Sequence, residues 1–302
     1  MRIARVEAAG QQGIAVLGSD PSGGDSARIV SDGGQQELVA IAAAGQAPDT
    51  VLDTVPLDQV RVLAPLDRPP SVRDFFAFED HVKNSRAGQG LDVDPGWYEH
   101  PLFYFSNPAA IYGPQDEITV PAGCRALDYE LEVACVIGRE AADLDPADPA
   151  TMNVIAGFTI LNDWSARDIQ SHEMKQNLGA VKGKDFATSL GPCVVTPDEF
   201  TGFAEGRPEA AMTARVNGEE KSRGKLSAIY FLWTELLAYA SANTRLLPGD
   251  VLGSGTVGTG CILEWRMTGH RDTHPWLRPG DVVELDVEHI GVLRNTIVKR
   301  PG

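Results

Sequence analysis

The sequence predicts an α+β protein rich in β-structure, with a mixed or mainly antiparallel sheet and a small β unit at the N-terminus. Short runs of period-two alternation bounded by Gly, Pro and Asp recur from end to end. Helical periodicity is confined to a few short stretches. The βαβ alternation of a doubly wound nucleotide-binding sheet is too sparse to support that fold.

The 302 residues have room for two domains. The Pro-rich stretch 64–72 marks the boundary, because residues before proline are biased away from helix. Residues 1–65 then form the small β-rich unit and 66–302 the larger one. In the first, β-like runs at Arg2–Ala8, Gly13–Gly18 and Ala27–Ser31 are separated by the turn signals DPSGGD and DGG, and a helix follows at Gln36–Ala44. Past the boundary, Val72, Phe75, Phe76, Glu79 and Val82 fall at helical spacing behind Ser71 as N-cap, which places His81 on or at the end of that helix. Residues 89–114 are rich in Gly, Pro and aromatics and read as an irregular segment wrapping over something, a candidate lid. A helix is expected over about 227–243. Two PGD turns, 248–250 and 279–281, each introduce a strand, and Val283, Leu285, Val287 and His289 share one face of the second.

With 26 Lys and Arg against 42 Asp and Glu, the formal net charge is -16, which argues against a nucleic-acid partner. No apolar run approaches the roughly 18 residues of a membrane span. The opening residues also lack the apolar core of a secretory leader. The expectation is a cytoplasmic protein with no membrane partner. Cys124, Cys135, Cys193 and Cys261 contain no CxxC pair and read as small buried hydrophobes rather than metal or redox ligands.

The segment 127–138 alternates strictly. Leu127, Tyr129, Leu131, Val133, Cys135 and Ile137 point one way, and Asp128, Glu130, Glu132 and Ala134 the other. Glu130 and Glu132 thus share a face with Cα atoms about 6.5–7 Å apart. Alone, they suit the solvated face of an edge strand. A third carboxylate, Asp163, ends the apolar run 154–161, a buried strand. Three carboxylates without a matching His or Cys set favour a hard divalent cation, Mg²⁺, Mn²⁺ or Ca²⁺, with open positions for a chelating substrate. Nearby, residues 162–192 concentrate polar and small residues, among them Asn162, Trp164, Arg167 and Gln170. Lys184, after Gly183, is placed to project a cation toward developing negative charge, whereas Lys182 reads as surface. A Ser/His/Asp nucleophile is disfavoured: there is no G-x-S-x-G elbow, and Ser254 reads as a turn residue.

Taken together and in order, RDFFAFEDHV, YELEVACVIG, GFTILNDWSARDIQ, KGKDF and GTVGTGCILEW resemble the fumarylacetoacetate hydrolase family over about residues 65–300. The resemblance implies a mixed β-roll or β-sandwich with flanking helices, preceded by a small N-terminal β domain, and a homodimer. It implies Glu130, Glu132 and Asp163 as ligands of a divalent ion, Mg²⁺ first. It implies Lys184 as the pocket lysine, His81 as general base, Glu264 as the residue orienting His81, and Tyr104, Gln170 and Thr256 as substrate contacts. His100, His172, His270, His274 and His289 receive no such support.

Two departures are visible. Ala77 stands at the place read as that of a fourth metal-binding carboxylate in the fumarylacetoacetases, so a three-carboxylate site is expected. Met174 stands where those enzymes place a substrate-contacting tyrosine, which puts fumarylacetoacetate in question as the substrate.

The implied activity is metal-dependent hydrolysis of a C–C bond in acylpyruvate or fumarylacetoacetate-like 2-oxoacids. Lys184 would lie against the departing enolate, and amides of the loop 253–260 would bind a carboxylate or oxyanion. The alternative on the same platform is decarboxylation of an oxaloacetate-type 2-oxoacid, or isomerisation or hydration in an aromatic meta-cleavage pathway. A non-enzymatic metal-binding β domain is a third reading.

Overall fold

The computed structural model describes residues 1–19, 24–88, 90–177 and 179–301. Most of the DPSGGD turn, Gln89 and Leu178 lie outside them. The first 65 residues supply β1 (Arg2–Ala8), β2 (Gln11–Ser19), β3 (Asp25–Ser31), α1 (Gln35–Ala44), β4 (Asp53–Pro56) and β5 (Arg61–Val62). Next come β6 (Val72–Phe75), α2 (Glu79–Ala87), β7 (Phe103–Ser106), β8 (Ile111–Tyr112) and β9 (Glu117–Thr119). The middle holds β10 (Leu127–Asp128), β11 (Leu131–Ile137), β12 (Ala141–Ala142), β13 (Ile155–Asp163), β14 (Ser165–Ala166), α3 (Arg167–Met174) and β15 (Thr188–Val195). The last third adds β16 (Ala211–Val216), β17 (Glu219–Lys225), α4 (Trp233–Ser241), β18 (Arg245–Leu246), β19 (Val251–Gly253), α5 (Ile262–Met267), β20 (Val282–Val287) and β21 (Gly291–Val298).

Among the described residues a twelve-stranded sheet runs β4-β3-β2-β1-β15-β13-β11-β19-β6-β7, with β5 added to β1 and β8 to β15. Its pairings are antiparallel except β19 with β6 and β8 with β15. A five-stranded sheet, β17-β16-β20-β21-β9, lies beside it. The architecture is the mixed, β-rich α+β arrangement that the alternation predicts. The strands of residues 1–65 join the large sheet through β1, where Arg2 and Ile3 pair with Val195 and Val194 of β15.

The strand β11 is central. Leu131, Val133, Cys135 and Ile137 enter the larger core, while Ala134 and Val136 pack in a second core with Leu38, Val39, Ile41 and Ala42 of α1. The expected solvated edge face is therefore absent: β13 and β19 flank β11, and both faces are covered. That is why Glu130 and Glu132, at its start, are buried.

The helix expected from Ser71 does not form there. Residues 72–75 make β6, parallel to β19 and antiparallel to β7, and the helix α2 begins only at Glu79. The apolar run Val72–Phe78 satisfies both periods, and sheet hydrogen bonding decides between them. Ser71 donates to Asp250 Oδ1 at 2.8 Å instead of capping a helix. His81 falls in the first turn of α2, behind Glu79 and Asp80, which suit the positive end of the helix.

The helix α4 is shorter than expected. Residues 227–232 stay outside it, tied by Arg207, whose Nη1 donates to the carbonyls of Ser227 and Ile229. Within 90–114 the chain is irregular except for one short 3-10 turn and the strands β7 and β8. Both PGD turns introduce strands, β19 and β20. In each, the Gly has positive φ, 91° at Gly249 and 97° at Gly280, and the Asp accepts from the amide three residues back. Val283, Leu285 and Val287 are buried, but His289 sits exposed in the following turn at φ 70°, not on the strand face. The four cysteines are free, Cys124 half-buried and the others buried, as expected of small apolar residues.

Candidate active site

Strand ends from the large sheet converge on one cavity of about 400 Å³. Its polar end is formed by Asp74 from β6, Tyr104 from β7, Glu130 and Glu132, Gln170 from α3, Lys184 and Thr256. Asp163, the last residue of β13, lies against the same group: carboxylate oxygens of Asp74, Glu130 and Asp163 come within 4.8 Å of one another. All four carboxylates are buried. Asp74 escaped the sequence reading because a helix from Ser71 would have turned it elsewhere. The fourth carboxylate thus comes from Asp74, whereas Ala77 is a buried core residue.

The donor set fits a hard divalent ion. Asp74 Oδ1, Glu132 Oε2 and Asp163 Oδ1 are buried oxygens that no donor among the described residues reaches, a costly state for a carboxylate unless a cation or a shared proton completes it. Burial raises the pKa of Asp74 and Glu132 well above the carboxylate range, and the charges of their acidic neighbours add to it. Asp163 is pushed up to about 6, again by burial first, although Lys184 opposes the shift. Glu130 goes the other way. Burial would raise it, but Arg167 and Lys184 outweigh that and hold its carboxyl below the usual range.

Lys184 Nζ bridges Glu130 Oε2 and Asp163 Oδ2. Burial alone would lower its pKa, but Asp163 and Glu130 reverse the balance and keep the ammonium charged. The turn that presents Lys184 is organised by Glu173, whose carboxylate accepts from the amides of Val181, Lys182 and Gly183. Lys182 is exposed and paired with Asp185 at 2.8 Å, the surface role expected of it. Tyr104 donates its hydroxyl to Asp163 Oδ2 and is held protonated by burial and the charge of Asp163.

His81 and Glu264 form a buried pair, Nδ1 to Oε1 at 2.7 Å. The other oxygen of Glu264 accepts from Asn84 Nδ2 at 2.9 Å and Thr259 N at 2.7 Å, so the carboxylate cannot rotate away. His81 packs edge-on against Phe76, which lines the cavity. Cys261 comes close enough to share an ion with His81 and Glu264, but burial keeps its thiol protonated and it points its Sγ at Glu264 Oε1.

Sequence reasoning missed the anchor that joins the two groups. Arg167 spans Asp128 Oδ2 (2.9 Å), Glu130 Oε1 (2.7 Å) and Gln170 Oε1 (3.1 Å). Asp128 in turn accepts from the amides of Ile262 and Leu263, the start of the helix carrying Glu264. Nothing local in the sequence links Asp128 to a residue 39 positions away. In the glycine-rich loop 253–260 the amides of Ser254, Val257, Thr259 and Gly260 donate within the protein, and Thr256 Oγ1 donates to Glu132 Oε1 at 3.1 Å.

Gly253 is required by close approach. A Cβ there would sit 2.3 Å from Asp74 Oδ1 and 3.2 Å from Glu132 Oε2. Gly253→Ala is expected to displace the Asp74 carboxylate and weaken binding of a divalent ion about 10–100-fold, the effect of disturbing a group that orients ligands. Calorimetric titration checks this; unchanged affinity would place the ion elsewhere.

The fumarylacetoacetate (FAA) hydrolase C-terminal family matches residues 71–298. The chain is 32% identical over 263 residues to oxaloacetate tautomerase Fahd2a, mitochondrial, of Rattus norvegicus, covering 86% of this chain and 76% of that one. It superposes on 5-carboxymethyl-2-hydroxymuconate delta-isomerase from Mycobacterium smegmatis with a TM-score of 0.74 at 27% identity, over 99% of this chain and 100% of that one. Against fumarylacetoacetate hydrolase from Exiguobacterium antarcticum the TM-score is 0.76 at 28% identity, with the same coverage. The fold, the motif order and the span of the match agree: the chain belongs to the fumarylacetoacetate hydrolase family and is an enzyme of that family.

Proposed function

We propose that the protein moves a proton at the carbon next to the carbonyl of a small 2-oxoacid, interconverting keto and enol forms or shifting the adjacent double bond. One observation carries this: a buried carboxylate cluster, with three oxygens that no donor among the described residues reaches, adjoins the cavity lined by a charged ammonium, Lys184. That pairing suits an enolate. The tautomerase and isomerase named among the relatives support it.

Glu130, Glu132, Asp163 and Asp74 would hold the ion, with Mg²⁺ preferred and Mn²⁺ or Ca²⁺ accepted by the same oxygen donors. When bound, a divalent ion draws charge from chelated 2-oxo and carboxylate oxygens and acidifies the neighbouring C–H. Lys184, which keeps its proton, lies beside the oxygen on which negative charge grows. His81 turns Nδ1 to Glu264, which leaves Nε2 to take the carbon-bound proton and return it. Glu264 fixes the ring and stabilises the imidazolium. Tyr104, Gln170 and Thr256 line the cavity and orient the chelated head.

The His81–Glu264 pair also favours a second reading, C–C hydrolysis of an acylpyruvate or fumarylacetoacetate-like substrate, in which Nε2 takes a proton from water that attacks the distal carbonyl. Decarboxylation would use the platform without His81. His81→Ala separates these. Deuterium exchange at the α-carbon, followed by NMR in ²H₂O, is expected to fall roughly 10²–10⁴-fold. Unchanged exchange would remove His81 from the mechanism, and a free acid plus a ketone or oxoacid from the wild type would install the hydrolase reading instead. We further take the protein to be a cytoplasmic homodimer, with residues 1–65 as a β unit docked on the catalytic unit 66–302 through β1. Among the described residues, no helix is long and apolar enough to cross a membrane.

A further inference from the structure

Resting on the chelated 2-oxoacid reading, we infer that the substrate carries an uncharged, apolar far end, an alkyl or aryl tail rather than a second carboxylate. The lining of the cavity changes character away from the carboxylates. Phe75, Phe76, Leu102, Phe103, Met174 and Ala180 form the rest of its side-chain wall. Phe76, Leu102 and Met174 remain 37%, 51% and 54% exposed, an apolar rim around the opening. Phe76 and Leu102 are held together by the hydrogen bond from Phe76 N to Leu102 O, while Met174 comes from the end of α3.

A substrate with a second carboxylate would need a cation at that end. Among the described lining residues Lys184 is the sole cation, and it is committed to Glu130 and Asp163. Two cations behind the walls, Arg167 and Arg73, are paired within the protein. Arg167 serves Asp128, Glu130 and Gln170. Arg73 donates to the carbonyls of Ala240 and Arg245 and faces Asp250. A carboxylate moved against Phe76, Leu102 and Met174 would lose water and gain no partner from those side chains, whereas an apolar tail would cover surface that is now wet. The volume points the same way, since a four-carbon acid held at the polar end would leave most of the 400 Å³ unfilled.

The test uses Mg²⁺-loaded, full-length protein and two inert ligands that share an oxalyl head, N-butyloxamate and N-(2-carboxyethyl)oxamate, titrated by calorimetry. The butyl ligand is expected to bind at least tenfold more tightly, and Met174→Arg, a change at an exposed helix end, to narrow or invert that ratio. Equal or tighter binding of the carboxyethyl ligand to the wild type overturns the inference and leaves the chelate reading standing. A ratio unmoved by Met174→Arg overturns the placement of the tail at this rim. Binding of neither ligand overturns the chelate reading and this inference with it.

Discussion

Replacing Arg167 with methionine is expected to cost about 3–5 kcal/mol of stability, the usual consequence of stranding buried charges. Asp128 and Glu130 would both lose their guanidinium partner in a buried site. Thermal unfolding should move down by on the order of 5–15 °C. The deficit has a defined pH profile. Because Glu130 titrates below the usual carboxylate range in the folded protein, its stabilisation is in place at neutral pH and is lost as the pH falls below about 4, the unfolded value. The gap between wild type and variant should therefore narrow under acid conditions. Arg167→Lys keeps the charge but not the fork that reaches three acceptors, and should fall between them. A shift of under 2 °C for the methionine variant would show that the anchor carries no weight.

Glu132→Gln should separate stability from activity. The wild-type carboxyl is raised by burial and then by Asp74 and Glu130, so its charge is a strain on the ion-free protein. An amide of the same shape removes that strain, and the ion-free variant should melt higher than the ion-free wild type. Asp163 follows the same sign: held protonated to about 6 when folded but ionised near 4 when unfolded, it makes ion-free stability fall as pH rises between those values. With Mg²⁺ at a hundred times its dissociation constant the wild type should gain about 2.7 kcal/mol. The variant should lose that gain, and turnover should drop more than 100-fold, beyond what disturbing an outer-shell partner does. Retention of both the Mg²⁺ increment and turnover would exclude Glu132 as a ligand.

The parts of the site visible in the sequence are those whose signal is local. Glu130 and Glu132 stand out because charge on a strictly alternating strand invites an account, and Asp163 because it ends an apolar run. Lys184 is marked by Gly183 before it and by the family motif. Asp74 was hidden because Val72–Phe78 obeys two periods at once, and only its pairing with β19 and β7 resolves them. The burial of β11 was hidden for the opposite reason: glutamates imitate a solvent face, while their true neighbours, α1 and β19, lie far along the chain. The link from Arg167 through Asp128 to the start of α5 has no sequence signature, since it is made only by folding.

The segment Asp128–Glu132 behaves as a ruler. Asp128 fixes the helix that bears Glu264, Glu130 meets Arg167 and Lys184, and Glu132 meets Thr256. A slip of one residue would misplace all three together, so the reaction centre tolerates little drift. Leu102 and Met174 of the apolar rim hang on separate pieces of chain, the approach to β7 and the end of α3. Those pieces can be rewritten while the ruler stays fixed, which makes the protein a natural chassis for changing what is transformed without changing how.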